Sequence, residues 1–99
     1  MNNTQLQNTI NTFWDENIIP PLIDYIKIPN KSPSFDSEWK SNGHMDRVLV
    51  LASEWAKTHL PENATLTVKE TDGRTPLILV DIPGDRDGNI LMYGHLDKQ

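Results

Sequence analysis

Residues 65–93 read TLTVKETDGRTPLILVDIPGDRDGNILMY, and three short apolar segments in this stretch predict a β-sheet. Residues 65–69 alternate Leu and Val with Thr and Lys, which is typical of a strand with one covered face. Residues 77–80 and 90–93 are continuous apolar runs, the pattern of strands buried on both faces. Residues 71–76 are short enough to connect the first two strands as a hairpin, and residues 83–89 predict another turn.

Helices are predicted before this sheet. Apolar residues recur with a helical period from about residue 5 to 18, with Thr4 as the expected N-cap. Pro20-Pro21 should break or kink this helix, and residues 22–28 should continue as a second helical segment. Residues 43–59 are the clearest amphipathic helix, which should end before Pro61 and cover one face of the sheet.

The intervening residues 29–43 predict a long loop, because turn-forming residues are frequent and no periodicity persists. Phe35 and Trp39 are expected to pin this loop to the body of the protein. The order helix, hairpin, buried strand predicts the α/β class. The sheet is expected to be incomplete, and the chain is expected to be a fragment, since it stops directly after its third predicted strand.

The composition limits the function classes. Ninety-nine residues suffice for one small domain, and a net charge of -5 gives no basic surface for nucleic acid. With no Cys, any zinc site must use His and carboxylate ligands. The absence of Cys, of a secretion signal and of a membrane-length apolar stretch predicts a cytoplasmic protein without a membrane partner.

Gly94-His95-Leu96-Asp97 is the stretch most suggestive of chemistry, because it follows the last predicted strand, where reactive groups gather in α/β sheets. In an extended chain, residues i and i+2 project to the same side. His95 could therefore ligate zinc through one ring nitrogen while Asp97 accepts the N–H of the other. Taken alone, the His-x-Asp spacing is common, and such a pair is more often a surface ion pair than part of a metal site.

The other residues that could form a metal or catalytic site are better explained by ordinary structural roles. His44 and His59 flank the third helix and are expected to be surface groups, with His59 complementing the helix dipole. Residues 85–89 are interpreted as a turn, since the glycine and glutamate spacing of a calcium loop is missing. Ser32 and Ser34 have no basic partner at a recognisable spacing.

Residues 90–99, ILMYGHLDKQ, closely resemble the first metal-site signature of the aminoacylase, carnosine dipeptidase and carboxypeptidase-G family of di-zinc metallopeptidases. Residues 25–33, YIKIPNKSP, are similar to an early Ile-Pro-Ser segment of that family. Arg74-Thr75-Pro76 before an apolar strand also resembles it. The likeness spans nearly the whole chain.

The resemblance implies that residues 1–99 form the N-terminal part of a three-layer α/β/α catalytic domain. It implies a two-zinc centre in which His95 ligates one metal and Asp97 orients it as part of the catalytic machinery. It further implies hydrolysis of peptide or N-acyl amide substrates by metal-activated water, in an enzyme that can be a homodimer. The family's remaining ligands and its Glu base lie downstream of this motif, so the chain is expected to be inactive alone. The alternative is a truncated, non-catalytic α/β module that binds or associates through an exposed sheet edge.

Overall fold

Helices dominate the first sixty residues of the computed structural model, which describes residues 1–98. In that range the elements form a small mixed α/β arrangement. Helix α1 (Asn3–Phe13), a π-helical turn (Trp14–Ile18) and α2 (Ile19–Lys27) are followed by α3 (His44–His59), β1 (Thr65–Lys69) and β2 (Leu77–Asp81). The α/β class predicted from the sequence is confirmed.

Helix α1 begins two residues earlier than predicted. The side chain of Asn2 accepts a hydrogen bond from the backbone N–H of Gln5 at 2.8 Å, and the Gln5 side chain accepts one from the Asn2 N–H at 2.9 Å. This reciprocal pair is a capping box, which satisfies two helix-end donors. The prediction of Thr4 as the N-cap is therefore wrong.

The regular α-helix is interrupted before the prolines, by the π-helical turn, and Pro20 and Pro21 lie in the first turn of α2, so the chain stays helical through the predicted break. Pro21 has no N–H, so the carbonyl of Asn17 loses the donor that a regular helix would supply four residues later. The indole Nε1–H of Trp55 in α3 donates to that carbonyl at 2.9 Å. The ring of His59 stacks on Trp55 with centroids 4.1 Å apart. The interruption thus becomes the docking point of α3.

The third helix lies within one residue of its predicted start and ends where predicted. Gly43 precedes it with a φ of 78°, in the left-handed region that glycine adopts without steric cost. Leu60 is extended, as the residue before Pro61 should be. Val48 of α3 is 2% exposed and Ile28, which follows α2, is 6% exposed. These two side chains are the buried apolar core of the described residues.

The predicted hairpin is confirmed. Strands β1 and β2 pair antiparallel, with Leu66 opposite Val80 and Val68 opposite Ile78, so these four side chains share one face. The Arg74 N–H donates to the Thr71 carbonyl at 3.0 Å, which closes the turn. Helix α3 packs against β1, so the sheet is covered on one side only.

The prediction of strands buried on both faces is wrong. Leu77 and Leu79 of β2 are 55% and 53% exposed, because nothing in the described chain covers their side of the hairpin. Residues 90–93 form no strand, and their side chains are 88–94% exposed. Apolar sequence alone does not make a strand, since the backbone needs a hydrogen-bonding neighbour. The described sheet has two strands.

The described chain is open rather than closely packed. Its accessible surface of 8237 Å² compares with about 5,700 Å² expected for a folded protein of this mass. Its radius of gyration is 16.3 Å, against about 13 Å for a compact domain of this length. Much apolar surface therefore lies uncovered.

The segment between α2 and α3 lacks helices and strands apart from one bridge residue, as the loop prediction required. Phe35 is 64% exposed, so the expectation that it pins the loop is wrong, whereas Trp39 is half-buried. Within residues 1–98, no helix combines the length and apolar character that a membrane crossing needs.

Candidate functional site

The sequence predicted that the stretch with His95 and Asp97 directly follows a β-strand. In the described part of the structure no strand directly precedes it. It runs instead beside the residues that follow α2. The Lys98 N–H donates to the Asn30 carbonyl at 2.8 Å, and Lys31 and Lys98 form an isolated parallel bridge. The site is therefore positioned by the end of a helix rather than by the edge of a sheet.

His95 and Asp97 contact each other, as their spacing predicted. The Nδ1 atom of His95 lies 2.7 Å from Asp97 Oδ1 and 3.1 Å from the Asp97 carbonyl oxygen. A carboxylate and a carbonyl only accept hydrogen bonds, so Nδ1 carries the proton. In the neutral imidazole this leaves the lone pair on Nε2, on a side chain that is 70% exposed. The geometry presents one nitrogen ligand towards solvent.

Asp97 also changes the proton affinity of His95. The hydrogen bond to the carboxylate, the bond to the Asp97 carbonyl and the negative charge raise the pKa of His95, and each favours the imidazolium. Solvent screens an exposed pair of this kind, so its contribution to folding stability is small. The main effect of the contact is to fix the orientation of the ring.

The carbonyl of Leu96, which lies between the two residues, has both of its lone pairs occupied. The hydroxyl of Tyr25 donates to it at 2.7 Å and the Asn30 Nδ2 donates at 2.9 Å. A carbonyl oxygen accepts at most two strong hydrogen bonds. The backbone between His95 and Asp97 is thus held by two side chains from another part of the chain.

The ammonium group of Lys98 enters the same cluster. It donates to the carbonyl of Ile28 at 2.6 Å and to Asn30 Oδ1, and it lies 3.9 Å from the centre of the Tyr25 ring. The Ile28 carbonyl follows a helix C-terminus, where carbonyls lack partners and the dipole favours cations. Burial lowers the pKa of Lys98. Burial first and the charge of Asp97 second raise the pKa of Tyr25.

We call Tyr25, Ile28, Asn30, Leu96 and Lys98 the anchor cluster. Sequence reasoning missed it, because its hydrogen bonds join residues 66–71 positions apart and leave no local pattern. One signal did exist. Two of the stretches that resemble the metallopeptidase family, residues 25–33 and 90–99, are the two that meet here.

A groove of about 360 Å³ lies beside the His95–Asp97 pair. It is lined mainly by apolar residues of α3 and β2, among them Val48, Leu49 and Ile78. His95 and Asp97 line the same groove. A polar pair next to an apolar cleft is a common arrangement for small-molecule sites.

The described residues provide a metal ion with one ligand and not with a complete coordination site. Among residues 1–98, no three His, Cys, Asp or Glu side chains are placed to hold one ion. His44 Nδ1 contacts Arg47 Nη1 at 3.0 Å, and the nitrogens of His59 lie against the Trp55 carbonyl and Asn17 Oδ1. Residues 85–88 form bends, in keeping with the turn interpretation, and Gln99 of the quoted motif lies outside the described residues.

Comparison with known proteins leaves the family open: no protein-family model matches the chain, and no curated protein matches it. The interpretation of the site therefore depends on its geometry and on the motif.

Proposed function

We propose that this chain supplies a metal-ligating segment of a zinc-dependent hydrolase of peptide or N-acyl amide bonds. In this proposal it is the N-terminal part of a three-layer α/β/α catalytic domain in a cytoplasmic metallopeptidase. The observation that carries the proposal is the 2.7 Å contact between His95 Nδ1 and Asp97 Oδ1. A carboxylate on one imidazole nitrogen is the usual partner of a histidine whose other nitrogen binds a metal.

His95 and Asp97 have distinct roles in the proposal. His95 presents Nε2 to the metal, and Asp97 holds the Nδ1 proton, fixes the tautomer and makes the ring a better donor. When bound, zinc supplies Lewis-acid activation of a water and of the scissile carbonyl. The apolar groove beside the pair would hold part of the substrate and limit the access of bulk water.

The described residues alone should not catalyse hydrolysis. A catalytic zinc has about three protein ligands and an open position, and here one imidazole is available. The other ligands and the general base would come from protein outside residues 1–99. A homodimer is compatible with this proposal.

Zinc titration of the metal-free chain tests the proposal. We expect binding weaker than about 1 μM, because complete structural sites gain about 10–16 kcal/mol and this one lacks most of its ligands. His95→Ala should abolish binding, and Asp97→Asn should weaken it by about 10–100-fold. His44→Ala is the matched control and should leave binding unchanged.

Two results would count against the proposal. Zinc binding that survives His95→Ala would show that His95 is not the ligand. Stoichiometric binding tighter than about 1 μM would show a nearly complete site and contradict the single-ligand interpretation.

A second candidate function is association without catalysis. The observation that favours it is the exposure of residues 90–93, an apolar run whose backbone has no strand partner in the described chain. Such a segment is a template for adding a strand. Sedimentation of the chain over a range of concentrations tests this candidate: an unchanged monomer would exclude self-association, whereas Tyr93→Lys should reduce any association that occurs.

A further inference from the structure

We infer that Asn30 and Lys98 are positioning residues that set the orientation of Asp97 and, through it, of the His95 ring. The inference deepens the proposed function, on which its significance for metal binding rests. The positioning itself is a property of the metal-free chain and can be measured there.

Asn30 is the centre of the arrangement. It is 1% exposed, and both ends of its amide are engaged: Oδ1 accepts from the Lys98 ammonium and Nδ2 donates to the Leu96 carbonyl. An ammonium only donates and a carbonyl only accepts, so the amide can satisfy both in one orientation alone. The Asn30 carbonyl also accepts the Lys98 N–H. One buried residue thus makes three hydrogen bonds to residues 96–98.

The ammonium group of Lys98 makes three contacts, two hydrogen bonds and one cation–π interaction. Two N–H groups reach the Ile28 carbonyl and Asn30 Oδ1, and the Tyr25 ring lies under the charge. Burying a charge is costly unless it is paired and hydrogen-bonded. Lys98 is half-buried, so the loss of Asn30 would remove one of the two protein acceptors of its ammonium group and leave that position to water.

The consequence for Asp97 follows from its two flanking peptide groups. The carbonyl of the peptide before Asp97 belongs to Leu96 and is fixed by Asn30 and Tyr25. The N–H of the peptide after Asp97 belongs to Lys98 and is fixed by the Asn30 carbonyl. Because peptide groups are planar, holding both fixes φ and ψ of Asp97. The direction of its Cα–Cβ bond is then set by the backbone, so the carboxylate needs to settle only its side-chain torsions to reach His95 Nδ1.

The anchor cluster therefore prepares the His95–Asp97 contact before any metal arrives. Fixing the backbone of one residue costs roughly 1–2 kcal/mol of conformational entropy. In this chain the anchor cluster fixes the Asp97 backbone during folding. The entropy of that ordering is therefore not lost again when a metal binds. Preorganisation of this kind raises affinity without adding a ligand.

The test uses the full 99-residue chain with Asn30→Ala and Lys98→Met, and with Lys31→Met as the matched control. The first measurement is the ¹⁵N NMR signature of the His95 ring in metal-free protein at about pH 9, where imidazole is mostly neutral. We expect the Nδ1–H tautomer in the unmodified chain and in Lys31→Met. Both anchor variants should lose it in part, although their far-UV circular dichroism shows intact helices.

The second measurement is zinc affinity by titration. Asn30→Ala and Lys98→Met should weaken it by about tenfold, the lower end of the range for groups that orient a ligand. Asn30→Asp retains the acceptor for Lys98 and loses only the donor to Leu96, so it should fold if Asn30→Ala does not. It should shift the tautomer by less than Asn30→Ala does.

The outcomes separate the two proposals. A tautomer unchanged in folded Asn30→Asp and Lys98→Met would overturn the positioning inference, even if zinc binds. A shifted tautomer in a chain that binds no zinc would support the positioning inference and overturn the proposed function. Shifts that occur equally in Lys31→Met would overturn the assignment to Asn30 and Lys98.

Discussion

Residues 90–93 and residues 96–98 lie three positions apart and differ in nearly every structural respect. The first segment is entirely apolar, yet its side chains are 88–94% exposed and it forms no strand. The second contains a leucine and two charged residues, and five hydrogen bonds of the anchor cluster hold it to the end of α2. Here the polar segment is the one that hydrogen bonds hold in place.

The difference shows what orders an extended segment that has no sheet to join. Hydrophobicity favours burial but does not specify a partner, whereas each backbone hydrogen bond requires a particular donor and acceptor. Asn30 and Tyr25 supply those partners to residues 96–98. Within the described chain, residues 90–93 have none from a strand.

Matched isoleucines give the sharpest contrast. Ile28→Ala should lower the free energy of unfolding by about 2–5 kcal/mol, because Ile28 is buried and its removal leaves a cavity. Ile90→Ala should change it by less than about 0.5 kcal/mol, because that side chain is 94% exposed. Urea denaturation measures both. Equal losses would mean that residues 90–93 are packed in solution and would end the contrast.

Hydrogen exchange compares the two backbones directly. The Lys98 amide, bonded to the Asn30 carbonyl, should exchange at least about tenfold more slowly than the Met92 amide, which corresponds to about 1.4 kcal/mol of local opening. Exchange followed by NMR, corrected for intrinsic rates, measures the ratio. A Met92 amide as protected as that of Lys98 would show that residues 90–93 are hydrogen-bonded in solution and would end the contrast.

Two tyrosines test a single hydrogen bond. Tyr25→Phe should cost about 0.5–1.5 kcal/mol, since it removes the donor to the Leu96 carbonyl and keeps the ring beneath Lys98. Tyr93→Phe is the control in residues 90–93. It should leave the free energy of unfolding unchanged because Tyr93 is 88% exposed. If Tyr25→Phe is neutral as well, the second donor to Leu96 is dispensable and Asn30 carries the anchor alone.

The smallest expected effect is the pH dependence from His95. Its pKa in the folded chain is raised by Asp97, so the stabilisation is present below about pH 6.5 and is lost as the pH rises through the folded pKa. NMR titration of the ring should show a pKa above the ordinary value, and Asp97→Asn should lower it. An unchanged pKa in Asp97→Asn would mean that the contact is absent in solution.

Local patterns predicted the helices and the hairpin well. Leu66 and Val68 share a face, and the helix over residues 44–59 was visible from its periodicity, because both depend on neighbours close in sequence. The same reasoning failed for residues 90–93, where a strand requires a partner that apolar character does not reveal.

The candidate site divides in the same way. The spacing of His95 and Asp97 predicted their contact, since two residues of extended chain suffice to make it. The contribution of Asn30 could not be predicted, because it depends on how α2 and the following loop place a buried amide 66 residues from its acceptor. Asparagine in a loop has an ordinary interpretation as a turn former.

The π-helical turn at residues 14–18 also sets the rotation of α2 about the helix axis relative to α1. Each residue of an α-helix advances the face by about 100°, so a one-residue deletion here would rotate α2 by that angle relative to α1. If α1 and α3 stayed in place, Tyr25 would turn away from the Leu96 carbonyl, and faster exchange of the Lys98 amide would report it. The length of this turn, more than its composition, is then what relatives of this protein would have to preserve.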